Sequence, residues 1–140
     1  MKVLESNLKN HVIKSVSHDI GDLHFFNHFA IIEFSEGQHV TLEASIKLLD
    51  NIQNYFGDAR SFGIISNRVN SYSMQPMDVV KAKERFTNLA GYGVVANSSP
   101  GRLSAHIEDT FCTTQNIKFN NLYEAVETIN SRVKAAENID

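Results

Sequence analysis

From His11 to Phe34 the chain is rich in β-branched and aromatic residues, with breaks at Gly21-Asp22 and near Asn27-His28, a pattern that predicts two or three antiparallel strands. The periodicity then changes. Leu42, Ile46, Leu49, Ile52 and Phe56 recur at helical spacing behind Thr41, a good N-cap, with Glu43 one turn before Lys47 and Gly57 closing the helix. Phe62-Gly63-Ile64-Ile65 is a short apolar run bounded by polar residues, which reads as a strand covered on both faces and ending at Ser66-Asn67-Arg68. A second helix is expected to begin between Ser73 and Pro76, with Ser73 as a possible cap, and to run through Val80 and Phe86 towards Leu89, with Gly91 after it. Gly93-Val94-Val95-Ala96 is another buried strand. Ser99 and Pro100 then start a third helix with the stripe Leu103, Ile107 and Phe111. Ile117-Lys118-Phe119 offers a last strand, and Asn121 with Glu124 resembles a capping box for a helix carrying Ala125, Val126, Ile129 and Val133, which frays after Lys134.

Strands first, then helix and strand in alternation, call for an α/β fold: a mixed β-sheet with N-terminal antiparallel strands followed by alternating helices and parallel strands joined by right-handed crossovers. The 140 residues, 42% hydrophobic and 21% charged, suit a single globular domain over 1–140 with its core at about 11–134. Thirteen Lys and Arg against 16 Asp and Glu leave a net charge of −3 and a pI near 6.0, so there is no basic field to hold a phosphate backbone, and nucleic acid is not expected as a partner. Cys112 stands alone, without an internal disulfide partner or a zinc-binding companion thiol, and suits a reducing cytoplasm. Met1–Asn10 carries Lys2, Glu5 and Lys9 where a signal peptide needs an apolar stretch, and the longest apolar run, Phe29 to Ile32, is far below the ~20 residues of a membrane span. A cytoplasmic location without membrane insertion is expected.

The order of elements, with Phe62-Gly-Ile-Ile-Ser-Asn-Arg-Val-Asn-Ser-Tyr-Ser73 and Gly93-Val-Val-Ala-Asn-Ser-Ser-Pro-Gly-Arg102, resembles small bacterial SpoIIAA-like proteins of the STAS superfamily over roughly Asp22 to Val133. Similar chains are also likened to the lipid-binding CRAL-TRIO fold. The resemblance implies a non-enzymatic module that binds a protein partner or a small ligand, in some members switched by phosphorylation of a serine. That serine follows the strand corresponding to Phe62–Ser66, usually in an Asp-Ser-Ser-Gly-like setting. Here the place holds Asn70-Ser71-Tyr72-Ser73, with neither the Asp before nor the Gly after. Ser71, Tyr72 and Ser73 are therefore the candidate regulatory or partner surface, with Ser71 the more switch-like position because its added charge would project into the contact loop.

A second constellation comes from the sheet itself. Asn67-Arg68 and Asn97-Ser98-Ser99 both follow parallel strands, and ligands of open α/β sheets favour the crevice outside such strand ends. With Arg102 nearby, Asn67, Arg68, Asn97, Ser98, Ser99 and Arg102 are the candidate site for an anionic metabolite or lipid headgroup. The plainer reading is that Ser99 only caps its helix and both arginines are solvated. His11, His18, His24, His28 and His39 are dense around Asp22, yet on a strand His24 and His28 would stand ~13 Å apart, so surface histidines and no metal are expected. No Gly-x-Ser-x-Gly elbow, Walker loop or dinucleotide fingerprint is present, and Cys112 reads as a core residue. The expectation is a non-enzyme without a cofactor, binding an unknown protein through the loop and helix after Phe62–Ser66, or alternatively a small anion between the Asn67 and Asn97 loops. A homodimer is compatible with either, and a hydrolase on this scaffold is the third reading.

Overall fold

The computed structural model describes residues 1–70, 72–96 and 117–138. After two 3-10 turns, Val3–Glu5 and Asn7–His11, come β1 (Lys14–His18), β2 (Gly21–Phe25), β3 (Phe29–Phe34), β4 (His39–Val40), α1 (Leu42–Phe56), β5 (Phe62–Arg68), β6 (Ser73–Met74), α2 (Pro76–Glu84), β7 (Leu89–Ala96), β8 (Ile117–Phe119) and α3 (Leu122–Ala136). Six strands form one sheet in the order β1-β2-β3-β5-β7-β8. The first two pairings are antiparallel and the remaining three parallel, as the element order requires. β4 and β6 pair separately as a short parallel ribbon.

The crossovers β3–α1–β5 and β5–α2–β7 advance in the same direction, so handedness places both helices on one face. There Phe25, Ile32, Phe34, Phe62, Ile64 and Val94 meet Leu48, Leu49, Ile52 and Phe56 of α1. The other face carries Phe29, Ile31, Ile65 and Val95, covered by Leu122, Ala125 and Ile129 of α3 and by Val3. Two of the expected caps are made: Thr41 accepts the Ala44 N–H at 3.1 Å and Asn121 accepts the Glu124 N–H at 2.8 Å. Gly57 ends α1 at φ 74°, a conformation that a side chain would strain.

Three local expectations change. β5 does not stop before its polar residues. Ser66, Asn67 and Arg68 continue the ladder, opposite Val94, Val95 and Ala96, because β7 runs alongside and offers their backbone partners. α2 is shorter than its apolar pattern suggests and ends at Glu84, while Leu89 and Gly91 belong to β7. The intervening turn is pinned by Asn88, whose Nδ2 donates to the carbonyls of Gly57 and Arg60, and whose own carbonyl accepts the Phe62 N–H. Ser73 does not cap α2. It lies in β6 with its Oγ 2.8 Å from His39 Nδ1, Gln75 holds the cap position, and Asp78 instead accepts the Leu42 N–H at the start of α1. The helix read from Ser99 lies outside the described residues.

Candidate functional site

Alternation along β5 sends successive side chains to opposite faces and separates two residues that the sequence reading placed together. Arg68 turns towards α1 and α2. It is 8% exposed, with its guanidinium carbon 5.1 Å from the centre of the Tyr72 ring and Nη2 near the Met74 sulfur. Tyr72 is half-buried, edge-on to Phe34 at 5.1 Å, with its hydroxyl 3.2 Å from Ser66 Oγ. Burial raises the pKa of that hydroxyl, against the opposing pull of Arg68 and the Ser66 hydrogen bond. Thus Arg68, Tyr72 and Ser73 gather at one corner, with Arg68 tucked under the ring rather than solvated. Ser71, Asn97, Ser98, Ser99 and Arg102 lie outside the described residues.

Asn67 faces the other way and belongs to a polar row that runs inward from the exposed Ser15 to the buried His24 and Glu33. Ser15 Oγ is 2.7 Å from His24 Nδ1, and His24 Nε2 is 3.2 Å from Glu33 Oε1. Glu33 Oε2 accepts the Asn67 Nδ2–H at 2.7 Å and the Val3 N–H at 2.9 Å, and Asn67 also donates to the Met1 carbonyl. His24 is 2% exposed, so it is a core histidine, not the surface residue expected. An ionised Glu33 can only accept, which makes Nε2 the donor. Burial pushes the Glu33 carboxyl up, but the hydrogen bonds from His24, Val3 and Asn67 outweigh it and hold the pKa below its ordinary value.

Serine, imidazole and carboxylate in a row are also the hydrolase set. Here Ser15 is the direct cross-strand neighbour of His24 on edge strand β1, and it lines neither of the two cavities described below. The row was legible as one signal: Glu33 interrupts Phe29-Ala-Ile-Ile-Glu-Phe34, and a carboxylate inside so apolar a strand needs a buried partner. Among the described residues no group of three or more His, Cys, Asp or Glu side chains is placed to hold a metal ion. No helix among them is long and apolar enough to cross a membrane.

The less open of two cavities lies between the sheet and the two helices of the first face. Its volume is about 60 Å³, with Ile32, Phe34, Ile64 and Tyr92 as floor, and walls that include Leu48, Leu49, Val79, Ala82 and Phe86. Its polar groups are few: Thr41, Ser45 and Asp78 at the helix starts, and Lys83, which is 8% exposed with its ammonium 4.5 Å from the centre of the Tyr92 ring. A more open groove of about 380 Å³ lies on the opposite face between Leu8, His11, Phe29, Val126 and Lys134. His28 also lines it, and burial together with Lys134 and Arg60 lowers its pKa.

No family model matches the chain, and no curated protein matches it. Among solved structures, it superposes on an uncharacterised protein of the DUF3478 family from Shewanella loihica PV-4, described as having a SpoIIAA-like fold. The TM-score is 0.54 at 6% identity, over 83% of this chain and 90% of that one. The fold is SpoIIAA-like. At that identity the likeness carries the sheet order and helix placement, and no residue roles.

Proposed function

We propose that this chain is a non-enzymatic, STAS-like regulatory module of a bacterial cytoplasm, and that it binds a small ligand with an apolar body and an anionic end between α1 and α2. The observation that carries this reading is the cavity of about 60 Å³, apolar on most sides, with Lys83 in its wall. Ligand sites combine a mostly apolar lining with a few convergent polar groups, and this cavity has that composition. Its volume is below that of usual ligand sites, so a ligand of ordinary size fills it only if α2, a helix of nine residues, shifts away from α1. The ligand therefore sits beneath the helices. The crevice between the Asn67 and Asn97 loops is the less favoured place, because Asn67 is committed to Glu33 and Met1.

The test compares octanoate with octanol in thermal unfolding. Octanoate should raise the Tm of the wild-type chain more than octanol, and both Lys83→Met and Ala82→Trp should remove the difference. Equal shifts in all three chains would overturn the reading.

A protein partner at the loop and helix after Phe62–Ser66 is the second reading. Met77 in the first turn of α2, the helix that follows Tyr72 and Ser73, and Ile46 on the neighbouring α1 are exposed, at 51% and 43%. Capture from the native organism with wild-type and Ile46→Asp/Met77→Asp baits tests it: a protein retained only by the wild type supports it, and identical recoveries refute it.

A further inference from the structure

Ser15 and Ser17 stand two residues apart on the edge strand β1, both exposed. By alternation they share a face, and it is the α3 face, because Ser15 lies opposite His24 and His24 opposite Ile31 of the cluster under α3. Their partners differ. Ser17 Oγ donates to the exposed carboxylate of Asp22 at 3.0 Å, whereas Ser15 Oγ lies 2.7 Å from Nδ1 of His24, a ring that is 2% exposed. That ring is held from behind by Glu33, which the Val3 N–H and the Asn67 carboxamide fix in turn.

An exposed hydroxyl on an imidazole that a third group orients is the arrangement that activates a nucleophile. Filling a buried ring's hydrogen bonds does not by itself call for a carboxylate, since a neutral carbonyl accepts an N–H with less desolvation. A carboxylate does one thing more: it stabilises a positive charge that arises on the ring. The strand edge adds a backbone donor. The Phe26 N–H to the Phe29 carbonyl and the Ser35 N–H to the Ile20 carbonyl place the even-numbered residues of β2 in bonding register with β3, so its odd-numbered residues bond β1 through Lys14, Val16 and His18. The Ser15 N–H therefore points away from β2, off the edge of the sheet, where it can donate to the oxygen of a carbonyl under attack.

We propose that Ser15 is a nucleophile that accepts an acyl group from an activated ester, with His24 as its general base and Glu33 as the residue that positions the ring. In the neutral ring the one proton lies on Nε2 towards Glu33, and Nδ1 is the acceptor. Ser15 Oγ attacks the carbonyl carbon of the ester while its proton passes to Nδ1. The tetrahedral adduct then breaks its bond to the leaving oxygen, which takes the electron pair and afterwards the proton from the imidazolium. An ester on Ser15 and a free alcohol result, and the ring is neutral again. Ser15 lines neither of the two cavities, so the donor is met at the surface and the product is one covalent mark on the chain. The ligand cavity lies on the opposite face, and this inference does not depend on it.

The test follows acetyl transfer from p-nitrophenyl acetate to the folded full chain, quenched in acid at successive times and located by peptide fragment masses. Ser15 should be acetylated about a hundredfold faster than Ser17, which shares its strand, face and exposure and is the reference within the same molecule. In denaturing urea, where the row no longer exists, the two serines should react at equal rates. His24→Gln should remove the preference and Glu33→Gln should reduce it about tenfold, while Ser17 keeps its rate in both, a pattern that loss of fold does not produce because unfolding exposes both serines alike. If His24→Gln does not fold, the comparison of folded and urea-unfolded wild type decides alone. Equal rates at Ser15 and Ser17 in the folded chain, no acetyl group at Ser15, or a preference that survives urea or His24→Gln would overturn the proposal. An undiminished preference in Glu33→Gln would overturn the part given to Glu33.

Discussion

Against one face of the sheet α3 comes so close that a Cβ at Gly63 would lie 2.3 Å from the Ile129 side chain and one at Gly93 3.3 Å from it. Against the other face α1 and α2 leave a cavity over Phe34 and Tyr92. The same strands build both faces, so the difference lies in what alternates along them. β5 and β7 place Gly63, Gly91 and Gly93 under α3, whereas Phe62, Ile64, Tyr92 and Val94 stand under α1 and α2. Small residues let a helix backbone descend onto the sheet, while large rings hold it off and stack among themselves, as Phe56 does on Phe62 at 4.5 Å. Over the glycines the close-packed face has no slack, and its groove lies off to the side, beside Val126 and Lys134. The ring-lined face has some, and it carries the helix ends where polar groups can meet a ligand.

The largest expected effect is on the tight face. Ile129→Ala should cost about 2–5 kcal/mol in urea unfolding, since Ile129 is fully buried over the glycines and the helix cannot sink further to fill the gap. A loss below about 1 kcal/mol would mean that α3 relaxes, and that the two faces are alike. Next, Gly63→Ala should cost about 1–3 kcal/mol through overpacking, and it should cost less in the Ile129→Ala background, where the opposing methyl is gone. Additive losses would remove the steric explanation.

Acid should then act on the polar row of the same face. Glu33 has its folded pKa below the ordinary carboxylate value, so its contribution is complete above that value of about 4.3 and is lost as pH falls through the lower folded pKa. Urea midpoints followed from pH 5 downwards should fall less steeply for Glu33→Gln than for the wild type. Parallel slopes would show that the row does not feel the charge. The smallest change belongs to the loose face. Ala82→Leu, which extends into the cavity, should alter stability by no more than about 1 kcal/mol in either direction. A large loss there would show that the face is already filled.

The contrast between the faces also marks how far the residues could be read in order. Thr41 and Asn121 announce helix starts because a cap acts within three residues, and the helical spacing of Leu42, Ile46, Leu49, Ile52 and Phe56 marks α1 by itself. Arg68 and Tyr72 were legible as candidates, but their stacking was not, because it depends on which way β5 points each side chain. Asn67 was legible as a candidate ligand residue at a strand end, but its bond to Glu33 was not.

Local order along the chain thus determined the main strands and helices among the described residues and, through them, a mixed α/β sheet of SpoIIAA-like form, without the short ribbon of β4 and β6. These follow from backbone sterics, hydrophobic periodicity and capping, all of which act between residues a few positions apart. Tertiary structure alone decided the rest. The antiparallel register of β2 on β3 brought His24 and Glu33 together from nine positions apart, and the parallel alignment of β3 and β5 set Asn67 beside them. Sheet alignment likewise gathered three separate glycines under Ile129 and delivered Val3, thirty residues before Glu33, to its carboxylate. Register and docking are chosen by the summed burial of whole faces, a quantity that no short stretch of sequence contains.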